Sequence, residues 1–79
     1  MLKINDLIKI KENLIPSATY GRVFMKKDML KFRGKNVAIG KIVYYAKENI
    51  EEFYYFAEGF WWHDSMIEII PIEDDNESL

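Results

Sequence analysis

The chain has 79 residues, no Cys, 15% aromatic residues and a net charge of −2 that hides two opposite halves. All eleven Lys and Arg lie at or before Lys47 beside three acids, a sum of +8, and the other ten of thirteen acids follow, a sum of −10. These numbers allow one small domain, exclude disulfides and thiolate metal sites, and leave no apolar run near the ~20 residues of a membrane-spanning helix.

Asp6 stands where a signal peptide would carry its apolar stretch, so the chain is expected to stay in the cytoplasm, away from membranes. Leu7-Ile8-Lys9-Ile10-Lys11 alternates after the turn-like Asn5-Asp6 and predicts a half-buried strand, with Ile8 and Ile10 inward. Leu14 to Gly21 reads as a loop broken by Pro16, with Tyr20-Gly21 as a tight corner under an aromatic lid. Met25, Met29 and Phe32 follow a spacing of four then three. That predicts a helix of about two turns with one apolar face, ended near Gly34 as a C′ residue.

Val37 to Ala46 is β-branched and aromatic, and Gly40 inside it marks a bend. Lys47-Glu48-Asn49 is a turn, Glu52 to Ala57 a strand, Glu58-Gly59 a short hairpin turn, and Phe60-Trp61-Trp62 a third strand. His63-Asp64-Ser65-Met66 reads as one helical turn capped by His63 or Asp64. Ile67 to Ile70 is a last strand, stopped by Pro71. The expected fold is mainly β: an SH3-like barrel of about five short strands, with one short helix in the first long loop. Residues 1–72 form the barrel, and residues 73–79 an acidic disordered tail.

In this order, several stretches carry a likeness: Asn5-Asp6 ahead of a basic strand, Glu12-Asn13-Leu14, Tyr20-Gly21, Met29, Phe32-Arg33-Gly34-Lys35, and Trp62 followed by Met66-Ile67-Glu68. Through them, residues 4–69 resemble a group of small, mostly uncharacterised SH3-like barrel proteins of phages and Gram-positive bacteria. The resemblance implies a fold and a phage or mobile-element origin, with residence in the host cytoplasm, and it implies no activity. The chain departs from that pattern at Glu58-Gly59 and in its acidic tail.

The motifs point away from catalysis and cofactors. Gly34 to Ile42 loosely follows a phosphate-binding loop. However, five residues separate its glycines and Ile42 replaces the hydroxyl that holds magnesium. His63, the only histidine, has Asp64 and Glu68 nearby, too few groups for a metal site and without a paired nucleophile. Asn76-Glu77-Ser78 matches a glycosylation pattern by chance.

Two surfaces remain as binding candidates. Seven rings between Phe53 and Trp62 cannot all enter one core, because a strand sends alternate residues outward. Phe56 and Trp62 are expected inside. Tyr55, Trp61 and Phe53 are the expected contact for a host protein or a second copy, flanked by Glu51, Glu52 and Glu58. The alternative contact is nucleic acid on the basic half, through Lys9 and Lys11 on one strand face, Lys27 and Lys31 on one helix face, and Arg33. Against that, pairing of the first strand with the last would set basic residues opposite acidic ones. The expected function is therefore a non-enzymatic protein-binding module, possible anti-defence inhibitors of a host protein included.

Overall fold

A computed structural model describes residues 2–70 of the chain. The acidic tail and the stop at Pro71 lie outside the described residues. The domain is mainly β, with strands β1 (Leu7–Ile10), β2 (Thr19–Tyr20), β3 (Val23–Phe24), β4 (Asn36–Ala38), β5 (Lys41–Lys47), β6 (Ile50–Ala57), β7 (Phe60–His63) and β8 (Ile67–Ile69). Two 3₁₀ helices, Lys27–Phe32 and Asp64–Met66, complete the order.

The alternating first strand takes the middle of a three-stranded antiparallel sheet ordered β4-β1-β8. Ile8 and Ile10 point into the core, while Lys9 stands opposite Glu68. A second antiparallel sheet, β5-β6-β7, covers the other side of the same core. The chain passes between the sheets at Ile39-Gly40. There Gly40 N–H donates to the Phe56 carbonyl at 2.7 Å, and the stretch expected as one strand divides into β4 and β5. This is the strand order of an SH3-like barrel.

The long first loop differs from expectation. Between β1 and β4 it holds a β2–β3 hairpin, with Tyr20 opposite Val23 across a two-residue turn, Gly21-Arg22. Gly21 has φ +61°, and glycine in the first position of a two-residue loop is the mark of a type II′ turn. The helix begins at Lys27 and is 3₁₀ in type, so Met25 precedes it. Met25 and Met29 still reach the core, and the Phe32 ring meets Trp62 edge-on at 6.1 Å. Tyr20 acts as the expected lid, its hydroxyl accepting from Ile15 N–H at 2.9 Å.

Trp62 is the centre of the core, with 0% exposure, and its indole N–H donates to the Ala57 carbonyl at 3.0 Å. Ile8, Ile10, Ile39 and Met66 are buried around it, as expected. Two expectations fail together. Phe56 is only half-buried, and Tyr55, expected outside, is 6% exposed. The turn at Glu58-Gly59 is the cause. Both residues have positive φ, 56° and 84°, so the loop is two residues long and pairs Ala57 with Phe60. Counting back sets Tyr55 beside Trp62 and Phe56 beside Trp61. With Trp62 inside, Tyr55 must be inside and Phe56 on the opposite face.

Candidate functional site

The outer face of the β5-β6-β7 sheet carries Lys41, Val43 and Tyr45, then Glu52, Tyr54 and Phe56, then Trp61 and His63. The β2–β3 hairpin lies against this face. Arg22 and Val23 from the hairpin, with Val43, Tyr45, Tyr54 and Trp61 from the sheet, line a cleft of ≈ 340 Å³. An adjoining recess on the far side shares Arg22, Val23 and Trp61 and adds Phe24, Lys26 and Phe60. Trp61, 37% exposed, is the ridge between them and packs edge-on to Phe56 at 5.1 Å.

Hydrogen bonds already made within the molecule fix the cleft. Arg22 lies over the Tyr45 ring at 4.5 Å and donates from Nη2 to its hydroxyl at 3.0 Å. The Tyr54 hydroxyl accepts from Arg22 N–H at 3.2 Å and donates to Glu52 Oε1 at 2.8 Å. The other Glu52 oxygen stands 3.3 Å from His63 Nε2. That separation is short enough for an ion pair, but the angle is poor, and Nε2 is buried without a hydrogen-bond partner among the described residues. His63 Nδ1 accepts from Ser65 N–H at 3.2 Å and lies 2.7 Å from Ser65 Oγ, so His63 caps the second 3₁₀ helix as expected. Ser65, His63 and Glu52 touch in the order of a catalytic triad. Yet hydroxyl and amide of one serine meet the same ring nitrogen, which is the geometry of a cap rather than of a free nucleophile. Among the described residues no three metal-binding side chains converge, and no helix is long and apolar enough to cross a membrane.

Burial raises the Tyr54 phenol above its ordinary value, and its hydrogen bond to Glu52 adds to this. Burial likewise raises Tyr55, with the Asp64 charge contributing. A raised native value favours the neutral phenol. The stability it contributes is therefore complete below the ordinary phenol value of about 10 and is lost as pH rises from there through the native value. Alkaline titration followed by tyrosinate absorbance and circular dichroism should show unfolding coupled to ionisation above about pH 10. The Tyr54→Phe variant should show a weaker coupling. Titration of Tyr54 and Tyr55 themselves at the ordinary value, with the fold intact, would contradict the burial of both phenols.

The other sequence-based candidates are dispersed. Phe53 is half-buried on the inner face, stacked with Tyr55 at 6.3 Å and tilted against Tyr44 at 4.8 Å. Glu51 faces that same inner side, Glu52 is tied to Tyr54 and His63, and Glu58 sits in the hairpin turn. Of the charged residues, Arg22 lines the cleft and Lys41 stands beside it over the Phe56 ring at 5.5 Å, while Glu52 is the one expected acid on this face. Lys9 Nζ lies 3.6 Å from Glu12, and Glu12 and Glu68 line the recess beside Lys9 and Lys11. Arg33 donates to the Leu14 carbonyl at 3.2 Å. Lys27 and Lys31 do not share a face, because residues four apart in a 3₁₀ helix are turned by about 120°.

Comparison of the chain with protein-family models, curated proteins and solved structures found no match. The likeness to phage and Gram-positive barrel proteins therefore rests on the residues that carry it. Sequence reading passed over Arg22, Tyr45 and Tyr54. The available signal was Gly21-Arg22 between Thr19-Tyr20 and Val23-Phe24, which is a two-residue hairpin pattern.

Proposed function

We propose that this chain is a non-enzymatic protein-binding module of phage or mobile-element origin, which acts by occupying a surface of a host protein, defence components included. Its contact is the Trp61 cleft. The observation that carries this reading is the cleft's chemistry: an exposed indole beside Val23, Val43 and the Tyr45 and Tyr54 rings, whose hydroxyls are already engaged. With both tyrosine hydroxyls already accepting bonds from Arg22, the cleft offers a partner mainly apolar and aromatic area. Trp, Tyr and Arg are also the residues that dominate interface energies. Arg22 in the cleft and Lys41 beside it suit a partner with acidic residues around an apolar centre.

Nucleic acid is the weaker reading, since Lys9 faces Glu68 and neighbours Glu12, and the helix lysines diverge. Capture from host lysate by the tagged chain, with and without nuclease, separates the two. The expected partner is a protein retained after nuclease. Trp61→Ala should then weaken binding by about 2 kcal/mol or more, while Lys27→Glu with Lys31→Glu changes it little. A partner lost with nuclease, or bound with a steep dependence on salt and on the lysines, would replace this reading with nucleic acid.

A further inference from the structure

We propose that the open edge of β5, from Val43 to Lys47, takes up an extended acidic segment of a partner protein as an added antiparallel strand. This rests on the protein-binding reading above, because Val43 and Tyr45 of the same strand form one wall of the Trp61 cleft.

Among the described residues β5 is hydrogen-bonded to β6 alone. The chain ahead of β1 pairs with Ile39, through Asn5 N–H to its carbonyl at 2.8 Å and its own N–H to Asp6 at 2.9 Å, and this pairing stops short of β5. Among the described residues no backbone bond reaches the outer side of β5. The turn at Glu48-Asn49 closes Lys47 on Ile50, so alternation spends the backbone groups of Lys47, Tyr45 and Val43 on β6. Those of Tyr44 and Ala46 are left facing out. Val43 and Tyr44 are 46% and 52% exposed, in a strand of β-branched and aromatic residues. An exposed edge of this composition is a template for strand addition.

Charge selects the occupant. Lys41 and Lys47 close the two ends of β5 on the face of Val43 and Tyr45, and Arg22 lies over Tyr45 between them. A second copy, paired over the whole strand, would set Lys41 against Lys47 twice, and like charges directly opposite are destabilising. The same lysines that guard the edge against self-pairing favour a strand with an acid at either end and apolar residues between.

The test uses the full chain, labelled with ¹⁵N, and a capped peptide matching the seven residues of β5, with glutamate at both ends and alternating threonine and valine between. At low ionic strength this peptide should shift the amides of β5 and slow hydrogen exchange at Tyr44 and Ala46. A lysine-ended peptide should bind at least about tenfold more weakly, and Lys41→Glu with Lys47→Glu should reverse that preference. Tyr44→Pro, which removes an outward donor, should abolish the footprint. Equal binding of both peptides overturns the proposal. So does protection of Tyr44 and Ala46 in the free chain, constant with concentration if the chain's own C-terminal residues fill the edge and rising with concentration if a second copy does. A footprint at Arg22 and Trp61 without β5 sinks the edge and keeps the cleft. One on β5 that is indifferent to Trp61→Ala keeps the edge and removes the cleft.

Discussion

Trp62→Ala is expected to remove a large share of the domain's stability at 25 °C, and all of it if the total lies near the lower end of what such a domain holds. The side chain has no exposure, meets Phe32 and Phe60 edge-on at 6.1 and 6.3 Å, and closes the Glu58-Gly59 hairpin through its indole N–H to Ala57. Truncating a large buried aromatic costs about 3–5 kcal/mol, and a domain of this size holds only ~4–12 kcal/mol in total. Denaturant unfolding followed by circular dichroism measures the loss. Trp61→Ala is the internal control: the same chemical change, one residue away on the opposite face, should cost far less. A Trp62→Ala protein that unfolds cooperatively near the wild-type midpoint would mean that Trp62 is not the centre of the core.

Gly21→Ala should be nearly as damaging, for a local reason. Gly21 holds φ +61°, and a Cβ placed there would stand 2.3 Å from His63 Cδ2 and 2.7 Å from Nε2. The ring cannot yield cheaply, since Ser65 holds its Nδ1 and the Tyr54 ring packs against it at 5.1 Å. Left-handed strain and overpacking together should cost about 2–4 kcal/mol, or roughly 10–25 °C in melting temperature. His63→Ser keeps a capping oxygen and removes the ring. The double variant should therefore be markedly more stable than the two single losses imply. Strict additivity would show that the hairpin does not rest on His63.

The sequence determined the mainly-β class and most of the element order. Alternation in Leu7–Ile10, the bend at Gly40, the turn at Glu58-Gly59 and the cap at His63 are local signals. Each follows from one residue's backbone freedom or from the period of two, and the structure holds all four. Which rings are inside was also legible, because a two-residue turn fixes the pairing and Trp62 in the core forces Tyr55 in with it. Expecting both Phe56 and Trp62 inside violated that parity.

Tertiary structure alone decided the cleft. Its walls, the β2–β3 hairpin and the outer face of β5-β6-β7, are brought together by packing between residues far apart in sequence, as in the Arg22–Tyr45 and Arg22–Tyr54 bonds. No short-range periodicity encodes that contact. The charge halves show the same division. Composition separates basic from acidic positions along the chain, but antiparallel pairing sets Lys9 opposite Glu68, while Lys41 and Lys47 remain at the ends of an edge strand. Sequence sets the charges and the periods. Only the closing of the barrel decides which of them meet a partner within the chain and which are left to meet one outside it.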